Sequence, residues 1–212
     1  MIRAIPPAGA APFLLFDLGG ILVRLGSVDC LWPDHGTNEP EQRPFSERWA
    51  TSRAVYDYET GRISDLADFF QAARAEMGIT VNEAVFDQAF MSIIGEPFAE
   101  TRPMLAALQG HYRLLLLSNT NEAHWRRCRD DLGLADYFDQ LYLSFEMGVM
   151  KPDPAIFKQF LTSVGDNPQN IWYFDDRPDN VEAACRLGIR GQVSQGGTLL
   201  LEDLQRLGLI EF

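Results

Sequence analysis

The chain has 212 residues, 46 % hydrophobic and 23 % charged, a globular balance that fits one compact domain with a sizeable insert. Its formal net charge of −12 excludes long-range attraction to nucleic acid or to an anionic membrane, so an anionic substrate must be held by locally placed cations or a metal ion. The three cysteines, Cys30, Cys128 and Cys185, are widely spaced and form no CxxC, which argues for free thiols in a reducing compartment and against a disulfide framework or zinc site.

Residues 1–12 are expected to be a loose N-terminal extension. Pro6, Pro7 and Pro12 break the apolar run that a secretory signal would need. No stretch has the length of a membrane span, so the expectation is a cytoplasmic protein with no membrane or nucleic-acid partner, monomeric or homodimeric.

The first strong element is "FLLF" at 13–16, ending on Asp17 and followed by Gly19 and Gly20. Three more apolar runs end in the same way. "RLLLL" leads to Ser118 and Asn119, "QLYLS" leads toward Lys151, and "IWYF" ends on Asp175 and Asp176. Uninterrupted apolar runs of this length predict strands buried on both faces, as in a parallel sheet. Helical patterns separate them. "DPAIFKQFLTSVG" has Asp153 as N-cap, Pro154 at the first helical position and Gly165 as a stop, and "DNVEAACRLG" runs from Asp179 to Gly188. The alternation predicts an α/β fold, a doubly wound Rossmann-like parallel sheet over 13–25 and 98–212.

Residues 26–97 break the alternation. A loop-like start gives way to helical patterns at about 44–60, 64–77 and 82–93, with Gly61 ending the first and Ser64 capping the second. This predicts a small helical insert. Residues 45, 49, 52 and 56 share one helical face as packing, whereas Tyr58 and Glu59 fall off it and are candidates to face a substrate.

Ligands of doubly wound sheets bind at the carboxyl ends of the strands, where Asp17, Ser118, Asp175 and Asp176 fall together, with Lys151 just beyond another strand. Three packed carboxylates repel unless a cation lies among them, so an oxygen-rich pocket suited to Mg²⁺ is expected. A hydroxyl and a lysine beside it suit phosphate oxygens.

"FDLGGIL", "LLLLSNTN", "MGVMKPDP" and "YFDDRPDN" follow the order and spacing of the four motifs of the haloacid dehalogenase-like (HAD) hydrolase superfamily. The chain resembles that superfamily over about 13 to 193, and within it the α-D-glucose-1-phosphate phosphatase-like subgroup, which shares "LSNTNEAH" and "ETGRIS". The resemblance implies a Mg²⁺-dependent phosphomonoester hydrolase acting on a small phosphorylated metabolite through an aspartyl-phosphate on Asp17. It implies Mg²⁺ ligation by Asp17, the Gly19 carbonyl, Asp176 and Asp175, with Asn180 in support behind them. It implies phosphate binding by Ser118 and the Asn119 backbone, and pairing of Lys151 with phosphate and nucleophile. It also implies that 26–97 is a substrate-selecting cap.

The resemblance is incomplete at Gly19, where most phosphatases of the superfamily carry a second Asp that protonates the leaving oxygen. Such acid catalysis typically contributes about 10²–10⁴-fold. Its loss favours acidic leaving groups, hence sugar 1-phosphates. His124, six residues after Ser118, is a candidate proton donor or sugar contact. The same gap at Gly19 keeps a 2-haloacid dehalogenase, or a non-catalytic protein of this fold, as alternatives.

Overall fold

Residues 1–5, 12–31 and 45–211 are described by a computed structural model of the chain. Strand β1 is Arg3–Ala4, β2 is Phe13–Phe16, β3 is Val23–Leu25, β4 is Ile94–Pro97, β5 is Arg113–Ser118, β6 is Gln140–Leu143, β7 is Ile171–Asp175, β8 is Arg190–Val193 and β9 is Ile210–Glu211. Helix α1 is Phe45–Ala50, α2 is Arg53–Glu59, α3 is Leu66–Met77, α4 is Glu83–Met91 and α5 is Thr101–Leu108. Helix α6 is Glu122–Arg126, α7 is Ser144–Met147, α8 is Pro154–Val164, α9 is Pro178–Cys185 and α10 is Thr198–Arg206.

The four apolar runs form the centre of a five-stranded sheet of order β6-β5-β2-β7-β8, every pair parallel. Side chains alternate across it, as extended backbone requires. Leu14 and Phe16 point into one layer with Leu105 of α5 and Leu204 of α10. Leu15, Leu115 and Leu117 point into the other, against Phe157 and Phe160 of α8 and Ala184 of α9. Each such buried side chain contributes roughly 1.5–3 kcal/mol, so the sheet that carries the polar strand ends is rigid. The fold is the expected α/β parallel sheet with helices on both faces.

The chain leaves the sheet through β3 and returns through β4, which pair antiparallel as a ribbon. Between them, α1 to α4 pack around a separate aromatic core of Tyr58, Phe69, Phe70, Phe86 and Phe90.

Four local expectations change. The helix predicted over 44–60 is two helices, with residue 44 outside the described set. Ser52 stays extended at φ −68° and ψ 133°, and its hydroxyl accepts from Val55 N–H. Glu76 completes that start by accepting from Arg53 N–H and Ala54 N–H, both at 2.8 Å. Local capping thus outcompetes the continuous stripe through 45, 49, 52 and 56. The α3 cap is Asp65, not Ser64, because its carboxylate accepts from Ala67 N–H and Asp68 N–H. Helix α9 starts at Pro178, one residue before Asp179. The N-terminal extension is tied at Arg3–Ala4, which pairs antiparallel with β9. Residues 6–11 and most of the loop predicted before α1, 32–44, lie outside the described residues. No described helix is long and apolar enough to cross a membrane.

Candidate active site

Register brings the site together. Phe16 lies opposite both Leu116 and Phe174, so the next residues, Asp17, Leu117 and Asp175, stand side by side at the carboxyl ends of three neighbouring strands. Asp17 N–H donates to Phe174 O at 2.9 Å, which fixes where its side chain starts. Lys151, almost wholly buried, enters from the turn after α7. Its ammonium donates to Asp17 Oδ1 and Asp175 Oδ2, both at 2.7 Å, and to Leu117 O at 2.9 Å. All three of its protons are therefore used. Asn119 holds the lysine backbone reciprocally. It donates through Nδ2 to Lys151 O and accepts through Oδ1 from Lys151 N–H, both at 2.8 Å. With its amide committed, Asn119 offers the cavity its backbone. Ser118 lines the same cavity, and its hydroxyl makes only a 3.3 Å contact to Asn119 O.

The carboxylates divide the work. Asp175 accepts from Lys151, from Tyr173 OH, from Arg177 N–H at 2.8 Å and from Asn180 Nδ2 at 3.0 Å to each oxygen. Burial works against its charge, but Lys151 and these donors outweigh it and hold its carboxyl below the ordinary value. Asp175 is thus a scaffold anion whose oxygens are already used by the protein. Burial pushes Asp17 up to about 7, with Lys151 opposing and Asp175 adding to the rise. Asp176 is also raised, by burial and then by Asp175. Burial likewise opposes the Lys151 charge, yet Asp17 and Asp175 outweigh it and hold the ammonium above its usual value.

One oxygen from each of Asp17, Asp175 and Asp176 lies within 4.8 Å of the others, a set of hard donors that fits a divalent cation such as Mg²⁺. Two observations support the fit. Asn180 Oδ1 is buried with no protein partner, and its amide orientation is fixed because Nδ2 must face the Asp175 carboxylate. Gly20, at φ 74°, has no side chain where a Cβ would meet Asp176 Oδ2 at 2.7 Å. Gly19 lies in the cavity lining beside Asp17. A Cβ there would meet the Leu25 side chain, with Cδ1 at 2.9 Å, Cδ2 at 3.1 Å and Cγ at 3.2 Å.

The cavity, about 370 Å³, runs from this cluster to the helical module. Leu25, Val28, Trp49, Val55, Phe90 and Ile93 form its apolar wall, and Glu59 is the carboxyl facing in from the helices.

Two sequence expectations are corrected. Tyr58 is 3 % exposed and stacks on Phe69 at 4.4 Å between ring centroids, so it is core of the helical module, while its neighbour Glu59 lines the cavity. His124 also reaches the cavity, but both ring nitrogens are committed. Nε2 donates to Phe90 O at 2.9 Å, which sets the tautomer, and Nδ1 accepts from Asn121 Nδ2 at 3.2 Å. Burial pushes its pKa down to about 4, so the ring is neutral, stacked on Phe90 at 4.1 Å. It is a strut between α4 and α6 with no proton to give.

Sequence reasoning passed over Tyr173 and Ser144. Tyr173 was legible in principle, since it stands two residues before Asp175 on the same strand face. Ser144 was not, because its partners Thr120 and Glu59 are distant in sequence.

The sequence pattern of the haloacid dehalogenase-like hydrolases matches residues 14–188. Among curated proteins, the D-ribitol-5-phosphate phosphatase of Bacteroides thetaiotaomicron is 25 % identical over 201 residues, covering 90 % of this chain and 95 % of that one. Among solved structures, a HAD-family enzyme from the same organism, in complex with magnesium and inorganic phosphate, superposes with a TM-score of 0.72. It is 30 % identical, over 89 % of this chain and 96 % of that one. A HAD-like hydrolase from Porphyromonas gingivalis gives a TM-score of 0.78 at 26 % identity, over 94 % and 98 % of the two chains.

Proposed function

The chain belongs to the haloacid dehalogenase-like hydrolase family and is an enzyme of the phosphatase type, and from that premise we propose that it hydrolyses small sugar phosphates through an aspartyl-phosphate on Asp17. The observation that carries this reading is the cluster at the strand ends. A lysine with all protons committed binds one oxygen of Asp17 and aims that side chain, while Asp176 stands beside it in a metal-sized group. A haloacid dehalogenase would have no work for Asp176 and for the buried, unpaired Asn180 Oδ1.

In this reading Asp17 attacks phosphorus and Lys151 holds the nucleophile and the phosphate charge near each other. Ser118 and the Asn119 backbone receive phosphate oxygens. Asp17, the Gly19 carbonyl and Asp176 hold Mg²⁺, with Asp175 and Asn180 behind them. A bound Mg²⁺ supplies charge stabilisation for the transferring phosphoryl group. The relatives named above carry the same chemistry in their descriptions, a sugar-alcohol phosphate for one and magnesium with phosphate for the other.

The insert over residues 26–97, whose described helices lie between β3 and β4, is the cap. The free thiols of Cys128 and Cys185 support a cytoplasmic location. Sugar 1-phosphates are the favoured substrates, because the core carries no proton donor at Gly19 and an anomeric oxygen, which leaves more readily than an alkoxide, needs less from a donor placed elsewhere. The test is the rate on glucose 1-phosphate against glucose 6-phosphate with Mg²⁺ present. The reading expects the 1-phosphate to be faster, and equal rates would sink it.

A further inference from the structure

The position of the missing proton donor can be traced from the other side of the cavity. We propose that Glu59, carried by the helical module, is the general acid and base that the core lacks at Gly19. The proposal rests on the reading of Asp17 as the phosphatase nucleophile.

Elimination leads to it. Among the described residues, the titratable groups lining the cavity are Asp17, Glu59, His124, Lys151, Asp176 and Arg177. Lys151 has every proton bound to protein oxygens. His124 is neutral with both nitrogens engaged. Asp17 and Asp176 belong to the acidic cluster that fits a cation. Arg177 is bound to Asp179 and stays charged. Glu59 remains, and among the described residues its carboxyl forms no ion pair.

The architecture fixes Glu59 where it is. It is the last residue of α2, and its backbone carbonyl accepts from Ser144 Oγ at 2.6 Å. The same hydroxyl accepts from Thr120 N–H at 2.9 Å, two residues past Ser118. Two residues on from Glu59, Gly61 lies so close to the Phe145 backbone that a Cβ would stand 2.2 Å from Phe145 O. One serine therefore joins the end of α2 to the loop that offers Ser118 and Asn119, and Gly61 lets that turn seat without a gap. Such a latch sets a side chain's position relative to the reacting group.

The surroundings also suit proton transfer near neutral pH. Burial is the largest influence and raises the Glu59 carboxyl to about 7, with Arg177 opposing, Asp17 adding and Lys151 opposing. A donor with that affinity is matched to its task at neutral pH.

An oxygen of Asp17 forms a bond to phosphorus while the bond from phosphorus to the leaving oxygen breaks. The electrons of that bond stay on the leaving oxygen, which takes the proton of the Glu59 carboxyl. The Glu59 carboxylate then takes a proton from water as the water oxygen bonds to phosphorus. The phosphorus–Asp17 bond breaks, its electrons return to Asp17, and phosphate departs with Glu59 protonated again. Anomeric phosphates depend least on this donor, and esters of ordinary alcohols depend on it most.

The test compares wild type, Glu59→Gln and Asp17→Asn with p-nitrophenyl phosphate, glucose 1-phosphate and glucose 6-phosphate in Mg²⁺. Glu59→Gln should lower kcat/KM on glucose 6-phosphate, which reports the step in which the leaving oxygen departs, by about 10²-fold or more, and its loss on p-nitrophenyl phosphate should be at least about tenfold smaller, whereas the base step is common to every ester. An equal loss on both esters, or a rise in KM with kcat kept, would show a binding role and overturn the proposal. The wild type supplies a second readout that needs no variant. Its kcat/KM on glucose 6-phosphate should fall on the alkaline side of neutrality more steeply than on p-nitrophenyl phosphate, and matching profiles would count against Glu59. Failure of the underlying reading looks different, because Asp17→Asn would then keep activity on all three esters.

Discussion

Lys151 Nζ lies 2.7 Å from Asp17 Oδ1 and 2.7 Å from Asp175 Oδ2, so one buried ammonium is shared by two carboxylates on adjacent strands. The lysine is what allows both acids to stand at the same sheet edge. Replacing it with Met leaves two buried carboxylates facing each other without a cation. Breaking a buried pair in this way costs about 3–5 kcal/mol. The Lys151→Met protein should lose that much stability by urea denaturation at neutral pH and lose phosphatase activity by at least about 10²-fold. Unchanged stability would mean that the pair is not formed in solution.

Gly19 and Gly20 are adjacent but predict opposite responses. Gly20 has φ 74°, and a Cβ there would stand 2.7 Å from Asp176 Oδ2. Gly20→Ala should cost roughly 1–2 kcal/mol of stability and weaken Mg²⁺ binding by displacing Asp176. Gly19 is outside the left-handed region, and its three nearest neighbours are Cγ, Cδ1 and Cδ2 of Leu25, an exposed side chain that can move. Gly19→Ala should therefore be stable to within about 1 kcal/mol of wild type. Calorimetric titration with Mg²⁺ and denaturation of both variants check the contrast, which equal effects would remove.

Room at residue 19 also allows the core to regain a carboxyl. Gly19→Asp in a Glu59→Gln background should recover activity on glucose 6-phosphate by about tenfold or more, since one proton donor replaces another. Pairing it with Leu25→Ala gives the new side chain space. No recovery in either background would argue that the two positions do not serve the same step.

His124 predicts a pH effect on stability. Burial holds its folded pKa at about 4, below the ordinary 6.5 of the unfolded chain. Between those values the unfolded state binds the extra proton, so stability falls as pH drops from about 6.5 to 4 and the loss is complete below 4. The full effect is on the order of 3 kcal/mol. His124→Phe lacks a titrating ring and should show a flatter pH dependence across that window in thermal denaturation, whatever its stability at pH 7. An unchanged slope would contradict the neutral, doubly bonded ring.

Much of this molecule was legible in its sequence, for reasons visible in particular residues. The strands ending at Asp17, Ser118 and Asp175 are uninterrupted apolar runs, and Asp153, Pro154 and Gly165 bound α8 as their types dictate. Strand β8 escaped because Arg190, Gly191 and Gln192 carry no apolar run at a sheet edge. Helix α10 was legible, since Leu200, Leu201 and Leu204 recur on one buried face ahead of Gly208, whereas the short β3–β4 ribbon carries no strong local signal. The split between α1 and α2 has a local half, the Ser52 cap, and a distant half, Glu76, 23 residues from Arg53, which no local rule contains. Within the candidate site, residue types gave away the polar cluster but not how it is shared out. That Asp175 is a fully engaged scaffold, that His124 is a strut, and that Glu59 faces the cavity while Tyr58 does not, all follow from contacts between distant segments.

The central claim is that Asp17 is the nucleophile of a Mg²⁺-dependent phosphatase. The most direct measurement is inorganic phosphate released from glucose 1-phosphate and p-nitrophenyl phosphate, with Mg²⁺ or with EDTA, by wild type and by Asp17→Asn. The account predicts release by wild type only with Mg²⁺, and a fall of at least about 10³-fold in the variant. No Mg²⁺-dependent release from either ester by the wild type, or an Asp17→Asn protein as active as wild type, would contradict it.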